Sequence, residues 1–184
     1  MKANAPTVPD LMAPEFRLRP IAASDLEAMR RHADHADVAR FTSHRFPHPF
    51  TEADAARFLA HYLGGGPFFM RVIDVGNEFA GALSVHVGEG VEAHSGELGY
   101  WLGHAHWGRG IMGEAVAEFV PMAFEALRLE RIWARVTDGN TASIRLLERN
   151  GFRKEGLLRR AICKHGVLAD THMFGRLRDD PDGT

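Results

Sequence analysis

The chain has 184 residues, 45% of them hydrophobic, and its 22 basic residues nearly balance 24 acidic ones to give a net charge of −2. This size predicts one globular domain, and the near-neutral charge offers no basic field for nucleic acid or an anionic membrane. No apolar run reaches the ~18 residues of a membrane span, and we expect no signal peptide. The single cysteine cannot form an internal disulfide, which favours a cytoplasmic protein.

The first third of the chain predicts one short strand and two helices. Residues 1–14 contain three prolines and predict a flexible arm. Residues 16–20 alternate in polarity and end at proline, which predicts a strand. Two capping boxes, beginning at Ser24 and Thr51, predict helices that run to about residues 40 and 63.

The remainder predicts an alternation of strands and helices. Gly76-Asn77 supplies a hairpin turn, and a helix from about Gly110 carries a buried apolar side, with a kink expected at Pro121. The predicted strands are 67–74, 78–87, 97–102, 131–137, 152–162 and 167–178, with helices at 110–127 and 140–150 and a disordered tail at 179–184. The order β-αα-βββ-α-β-α-ββ predicts an α/β layered domain over residues 15–178, built on a mixed, largely antiparallel sheet.

The segment HWGRGIMGEA, residues 106–115, carries the strongest functional signal. It places three glycines between an extended run and a helical pattern. The first amides of a helix lack internal partners and favour an anion, and glycine lets the backbone approach a ligand closely. We therefore expect a coenzyme diphosphate to be held by the amides of Gly108, Arg109, Gly110, Met112 and Gly113.

A second interpretation of the same glycines is a dinucleotide site. Gly108, Gly110 and Gly113 spell G-x-G-x-x-G, the fingerprint of nicotinamide-binding folds. In those folds the first glycine follows its strand almost directly, and an acid lies about 20 residues further on. Here residues 103–107 intervene, and Glu130 and Asp138 flank the next strand instead of lying in it. An NAD(P)-binding oxidoreductase is therefore the weaker alternative.

Two motifs carry a family resemblance. Residues 97–114, ELGYWLGHAHWGRGIMGE, resemble the coenzyme-A loop of the GNAT N-acetyltransferases, and most closely their RimJ/RimL branch. Residues 140–156, NTASIRLLERNGFRKEG, resemble a later segment of the same branch. The resemblance implies the GNAT fold, with the sheet splayed between its fourth and fifth strands, and acetyl-CoA as cofactor. It also implies direct attack of an amine on the thioester, the amine being a protein N-terminal α-amine, possibly ribosomal, or a small amine.

The resemblance also implies site residues. Asn140 would hydrogen-bond the pantetheine arm, and Ser143 would lie near the sulfur as a candidate acid. Many acetyltransferases use a tyrosine as this acid, but Leu147 occupies the corresponding position. The expected cofactor-binding residues are Leu98, Tyr100, Trp101, Leu102, Trp107, Gly108, Arg109, Gly110, Met112, Gly113, Asn140 and Ser143.

Glu97 is the candidate base. Alternation along a strand places Glu97, Gly99 and Trp101 on one face, where the carboxylate would take the ammonium proton directly or through water. The alternative role for Glu97 is a salt bridge. Gly99 suggests a bulge that would direct free amides at the thioester carbonyl.

Other classes of function remain open. The tightest histidine pairs, His104 with His106 and His44 with His48, have no third ligand at suitable spacing, so we expect no metal. The missing tyrosine leaves a non-enzymatic acyl-CoA-binding sensor domain as an alternative. A homodimer is possible, but no pattern in the sequence indicates one.

Overall fold

The computed structural model describes residues 15–43, 46–181 and 183. The predicted arm, residues 1–14, lies outside them, as do residues 182 and 184, so the division into arm, domain 15–178 and tail stays a prediction. Among the described residues the elements are β1 (Arg17–Arg19), α1 (Leu26–Ala33), α2 (Ala36–Phe41), α3 (Glu52–Leu63), β2 (Phe68–Val75), β3 (Glu78–Val87), β4 (Ser95–Leu102), α4 (Ile111–Leu127), β5 (Arg131–Thr137), α5 (Thr141–Arg149), β6 (Arg153–Lys164) and β7 (Val167–Leu177).

The strands form one sheet in the order β1-β2-β3-β4-β5-β7-β6, and every neighbouring pair is antiparallel except β4 and β5. These two are parallel over three residue pairs, from Ser95–Arg131 to Glu97–Trp133, and beyond that point both strands continue without pairing with each other. The structure therefore confirms the predicted α/β class, the mixed sheet and its splay between the fourth and fifth strands.

Two hydrophobic clusters cover the two faces of the sheet. On the α4 face, Phe119 and Val120 of α4 and Leu147 of α5 pack against strand residues and are fully buried. On the α1–α3 face, Met29 of α1 and Ala55 of α3 are equally buried in a second cluster. Helices α4 and α5 therefore cover one face of the sheet, and helices α1 to α3 pack on the other.

The first predicted helix is wrong in two respects. It is two helices, because Asp34 ends α1 and its carboxylate accepts the Phe50 amide at 2.8 Å, while the His35 ring caps α2. The predicted capping box at Ser24 is also absent. Asp25 accepts the Ala22 amide at 2.8 Å instead, and this carboxylate is held by an ion pair with Arg19.

Other local predictions are confirmed. Thr51 and Asp54 form the predicted capping box at α3. The hairpin residues Gly76 and Asn77 both have positive φ, 62° and 66°, as a tight turn between twisted strands requires. Helix α4 continues through Pro121, which is exposed, and the kink expected there stays a prediction. No helix among the described residues is long and apolar enough to span a membrane.

Candidate active site

The site begins where β4 and β5 separate. Their ladder ends at the pair Glu97–Trp133. Backbone groups alternate in direction along a strand, and the Gly103 amide, just after β4, donates to the Ala80 carbonyl of β3 at 2.8 Å. Odd-numbered residues of β4 therefore turn their backbone groups toward β3. The backbone groups of Tyr100 consequently face the gap.

The predicted cofactor residues of β4 divide between the two faces of the sheet. The side chains of Leu98 and Leu102 are buried in the cluster of the α4 face, and Tyr100 packs against the same cluster. The Trp101 ring lies on the opposite face, where its centroid is 4.9 Å from that of Phe46. Three of the four residues thus line the α4 side of the gap, and Trp101 lines the other.

A short loop connects β4 to α4 and is fixed by its aromatic residue. The Trp107 indole donates to the Leu102 carbonyl at 2.8 Å, although the ring itself remains 44% exposed. Gly108 and Gly110 follow with φ of 72° and 78°, values that glycine adopts without strain. The chain therefore turns twice within three residues, all of them exposed, before it enters α4.

The amides of this loop were predicted to hold a diphosphate. Among the described residues, no acceptor takes a hydrogen bond from the amides of Gly108, Arg109, Gly110, Ile111 or Met112. The Gly113 amide differs, because it donates to the Gly110 carbonyl at 3.0 Å. Within the described part of the chain, a cradle of unpaired donors is therefore present at a helix N-terminus, and it includes the amide of Ile111 where that of Gly113 was predicted.

Two side chains of the loop have defined directions. Met112 packs against the core cluster of the α4 face, so this side chain points away from the open amides. The Arg109 guanidinium lies 3.3 Å from the Nδ1 of His106 at the surface. Arg109 therefore adds positive charge beside the cradle and leaves the amides uncovered.

The second helix that begins at the gap is α5. Asn140 caps it by accepting the Ser143 amide at 3.2 Å. Leu147, at the position where the family resemblance predicts a tyrosine in many members, is completely buried in the core and directs no polar group into the gap. Ser143 is partly exposed one turn before it.

A contact that the sequence analysis missed joins the two sides of the gap. The Tyr100 hydroxyl lies 2.5 Å from the Ser143 hydroxyl. Burial raises the pKa of Tyr100 to about 12, and its hydrogen bond to Ser143 acts in the opposite direction. No sequence signal reports this contact, because the two residues are 43 positions apart and belong to different motifs.

The candidate base forms an ion pair. Glu97 accepts two hydrogen bonds from the Arg135 guanidinium, at 2.9 and 3.1 Å, and both side chains are partly exposed. The predicted bulge at Gly99 is wrong, since β3 and β4 keep a continuous register with Gly99 opposite Ser84. The open backbone groups belong instead to Tyr100, because the gap lies on the side of β4 away from β3.

A polar group on the α1–α3 face lies beside Glu97. The Tyr62 hydroxyl of α3 lies 3.0 Å from the Ser84 hydroxyl and 2.9 Å from the Nε2 of His86. His86 is the cross-strand neighbour of Glu97. The sequence analysis gave no role to Tyr62 or Ser84, because only the folded sheet places them next to this carboxylate.

Three possible metal ligands come together at the start of α2. His35 Nδ1 and His104 Nε2 each lie 3.8 Å from the Oδ2 of Asp37. The two imidazole rings stack face to face, with centroids 4.0 Å apart and an angle of 10° between them. A metal binds an imidazole in the plane of the ring, so parallel rings do not converge on one ion. The absence of a metal site stays a prediction.

Comparison with known proteins gives a consistent result. Residues 15–153 match the domain family described as Acetyltransferase (GNAT) domain. An uncharacterized N-acetyltransferase of Bacillus licheniformis is 30% identical over 181 residues, covering 94% of this chain and 98% of that protein. A ribosomal-protein-serine acetyltransferase of Escherichia coli is 28% identical over 121 residues, 66% of each chain.

Solved structures agree with the sequence matches. RimJ of Mycobacterium smegmatis in complex with CoA-disulfide superposes with a TM-score of 0.79 and 27% identity, covering 91% of this chain and 84% of that one. The similarity therefore extends over nearly all of the described fold, including the gap between β4 and β5.

Proposed function

We propose that this chain, which belongs to the GNAT family of acetyltransferases, transfers the acetyl group of acetyl-CoA to the α-amine at a protein N-terminus. It is an N-acetyltransferase, and acetyl-CoA is its cofactor. The observation that carries the site assignment is the row of unpaired amides from Gly108 to Met112, at the open end of the split between β4 and β5.

The residues of this cradle suit a diphosphate. A Cβ atom added at Gly108, Gly110 or Gly113 would meet no atom of the described residues within 4 Å, so the loop is open on the sides where these glycines lack a side chain. The N-terminal end of the α4 dipole and the Arg109 guanidinium both favour negative charge there. Acetyl-CoA supplies the activated acetyl group as a thioester. We assign its diphosphate to the cradle and its pantetheine arm to the gap, beside Tyr100 and Asn140.

The charge of the acceptor side favours an α-amine. Glu97 is neutralised by Arg135, so this pair offers no net negative charge to attract a polyamine. An α-amine has an ordinary pKa of about 8 and a lysine amine of about 10.4, so about a tenth of α-amines are neutral at pH 7 against fewer than one in a thousand lysines. An α-amine therefore requires less help from a base. The name of the Escherichia coli relative also gives a protein, a ribosomal protein, as the acceptor of that enzyme.

Two residues would handle protons. We assign Glu97 to the acceptance of the ammonium proton, directly or through a water near His86, since the carboxylate lies at the last ladder pair before the gap. We assign Ser143 to the donation of a hydrogen bond toward the sulfur, because its hydroxyl lies at the start of α5 beside the open edge of β4. The cradle amides would hold the rest of the cofactor in register with both.

A thiol-release assay with acetyl-CoA tests the proposal. Peptides with free α-amines should be acetylated faster than N-terminally blocked peptides that contain lysine, and faster than polyamines or aminoglycosides. Faster turnover of polyamines would replace the proposed acceptor by a small amine. CoA binding without turnover of any amine would favour a sensor domain, and failure to bind CoA at sub-millimolar concentrations would remove the proposal.

The base is tested by Glu97→Gln. We expect kcat on a peptide α-amine to fall about 100-fold at pH 7, the lower end of general-base effects. The defect should shrink toward pH 9, where the α-amine is already neutral because its ordinary pKa is about 8. Glu118→Gln, which removes an exposed carboxylate from α4, is the matched control. An equal loss at both pH values would assign Glu97 to the ion pair with Arg135 and not to proton transfer.

A further inference from the structure

Two hydroxyl groups from separate elements meet beside the proposed cofactor gap. Tyr100 belongs to the part of β4 that has left its partner β5, and Ser143 belongs to the first turn of α5. Their oxygens are 2.5 Å apart. The contact therefore bridges β4 and α5 at the end where the sheet is open.

We propose that Tyr100 is a positioning residue, which donates its hydroxyl hydrogen to Ser143 and thereby directs the hydrogen of Ser143 toward the sulfur of acetyl-CoA. This inference rests on the proposed acetyl transfer. Many acetyltransferases have a tyrosine on the helix, at the position of Leu147. In this chain the phenol would come from β4 instead. This positioning role needs no covalent step by Tyr100.

The direction of the hydrogen bond follows from the chemistry of the two groups. A phenol has an ordinary pKa of about 10, whereas the pKa of an alcohol is close to that of water and far higher, so the phenol is the better donor. Burial raises the pKa of Tyr100 still further, to about 12, which keeps the hydrogen on the phenol throughout the neutral range. Ser143 then accepts from Tyr100 and keeps its own hydrogen for a third group, since a hydroxyl has one donor and two acceptor sites.

The backbone of Ser143 is fixed by an independent contact. Its amide donates to the Asn140 side chain at 3.2 Å, which holds the first turn of α5 in place. The side-chain hydroxyl alone would remain free to rotate, and Tyr100 removes that freedom. Orientation of this kind contributes to the rate, because a hydrogen bond to the leaving group is useful only if it points there when the reaction occurs.

A kinetic double-mutant cycle separates positioning from packing. We expect Tyr100→Phe, which keeps the ring, to lower kcat about tenfold and to change KM for acetyl-CoA less than twofold, as for loss of an interaction used only in the transition state. Ser143→Ala should lower kcat at least as much. The double variant should equal Ser143→Ala, because Tyr100 acts through Ser143.

Ionisation of the phenol provides a readout without cofactor. The chain has two tyrosines, so in a Tyr62→Phe background the absorbance at 295 nm reports Tyr100 alone. At pH 11 we expect about a tenth of Tyr100 to be ionised, against about nine-tenths of a free tyrosine. Adding Ser143→Ala should lower that fraction further, because the Ser143 hydroxyl also stabilises the phenolate. Far-UV circular dichroism at the same pH confirms that each variant is folded.

The possible results distinguish this inference from the proposed function. An active wild-type enzyme whose Tyr100→Phe variant keeps full kcat would overturn the positioning role and leave acetyl transfer intact. The positioning role would also be overturned if the losses in kcat of the two single variants multiplied in the double variant. It would likewise be overturned if Ser143→Ala left the ionised fraction of Tyr100 unchanged. A wild-type protein with no turnover would contradict the proposed function itself, whatever the titration shows.

Discussion

The two helices that start at the open end of β4 and β5 begin in different ways. Helix α5 is capped by Asn140, whose side chain accepts the Ser143 amide. Helix α4 starts at Gly110 in a left-handed conformation, φ 78°, and has no side-chain cap. A Ser, Thr, Asp or Asn cap is worth about 1 kcal/mol, so the sequence forgoes this stabilisation at α4.

The comparison favours the N-terminus of α4 as the proposed anion site. Helix α3, on the other face of the sheet, is capped twice, by Thr51 and Asp54. A side-chain cap satisfies the same amides that a phosphate would use, so capping and phosphate binding compete for them. Of these three helix N-termini, α4 alone pairs an uncapped start with a glycine turn. This difference supports the proposed cofactor site at α4 independently of the glycine motif.

The largest effect should come from placing an acid at the uncapped terminus. A carboxylate about 5 Å from a phosphate charge costs about 3 kcal/mol at an effective dielectric of 20, so Gly113→Asp should weaken CoA binding roughly 100-fold. The same change should stabilise the fold by about 1 kcal/mol, because it removes a helical glycine and adds an acid at the positive end of the dipole. Isothermal titration and urea unfolding measure the two effects.

Gly113→Ala is the matched control for charge. Position 113 has room for a Cβ, and its φ is not positive, so alanine should fold without strain. We expect a similar gain from removing the glycine, about 0.5–1 kcal/mol, with CoA affinity much closer to wild type than that of Gly113→Asp. Equal CoA affinity in the alanine and aspartate variants would place the diphosphate elsewhere.

A smaller effect is expected at the capped terminus. Asn140→Ala should destabilise the fold by about 1 kcal/mol through loss of the cap, whereas Asn140→Asp should keep nearly full stability because both residues cap equally well. Both should raise KM for acetyl-CoA, since each removes the amide NH₂ that we assign to the pantetheine arm. If Asn140→Asp kept the wild-type KM, Asn140 would be a cap and nothing more.

The sequence predicted the local features of the fold well, because their causes are local. The Gly76-Asn77 turn, the Thr51 capping box and the apolar side of α4 each depend on residues within one or two turns of chain. The prediction of a single first helix was wrong because a contact with a residue distant in the sequence ends that helix. Asp34 ends α1, and its carboxylate accepts the amide of Phe50, 16 residues later. The helical pattern of the sequence contains no signal for this contact.

The features of the candidate site likewise depend either on local residues or on contacts between distant ones. The glycine turn before α4 was visible as a motif, and the structure shows its amides open, apart from that of Gly113. The pair Glu97–Arg135 and the pair Tyr100–Ser143 span 38 and 43 residues, and each forms only after the sheet has assembled. Motifs therefore located the candidate cofactor loop, whereas the partners of the candidate acid and base could be found only from the fold.

The smallest effect on the cofactor should come from the cap on the opposite face. Thr51→Ala removes the hydroxyl that accepts the Asp54 amide, so it should destabilise the fold by about 1 kcal/mol. Because α3 belongs to the cluster of the α1–α3 face, CoA affinity should stay within twofold of wild type. Urea unfolding and titration with CoA again measure both quantities. A loss of CoA affinity comparable to that of Gly113→Asp would show that helix stability, and not the open amides of α4, controls binding. The difference in capping between the helix termini would then say nothing about where the cofactor binds.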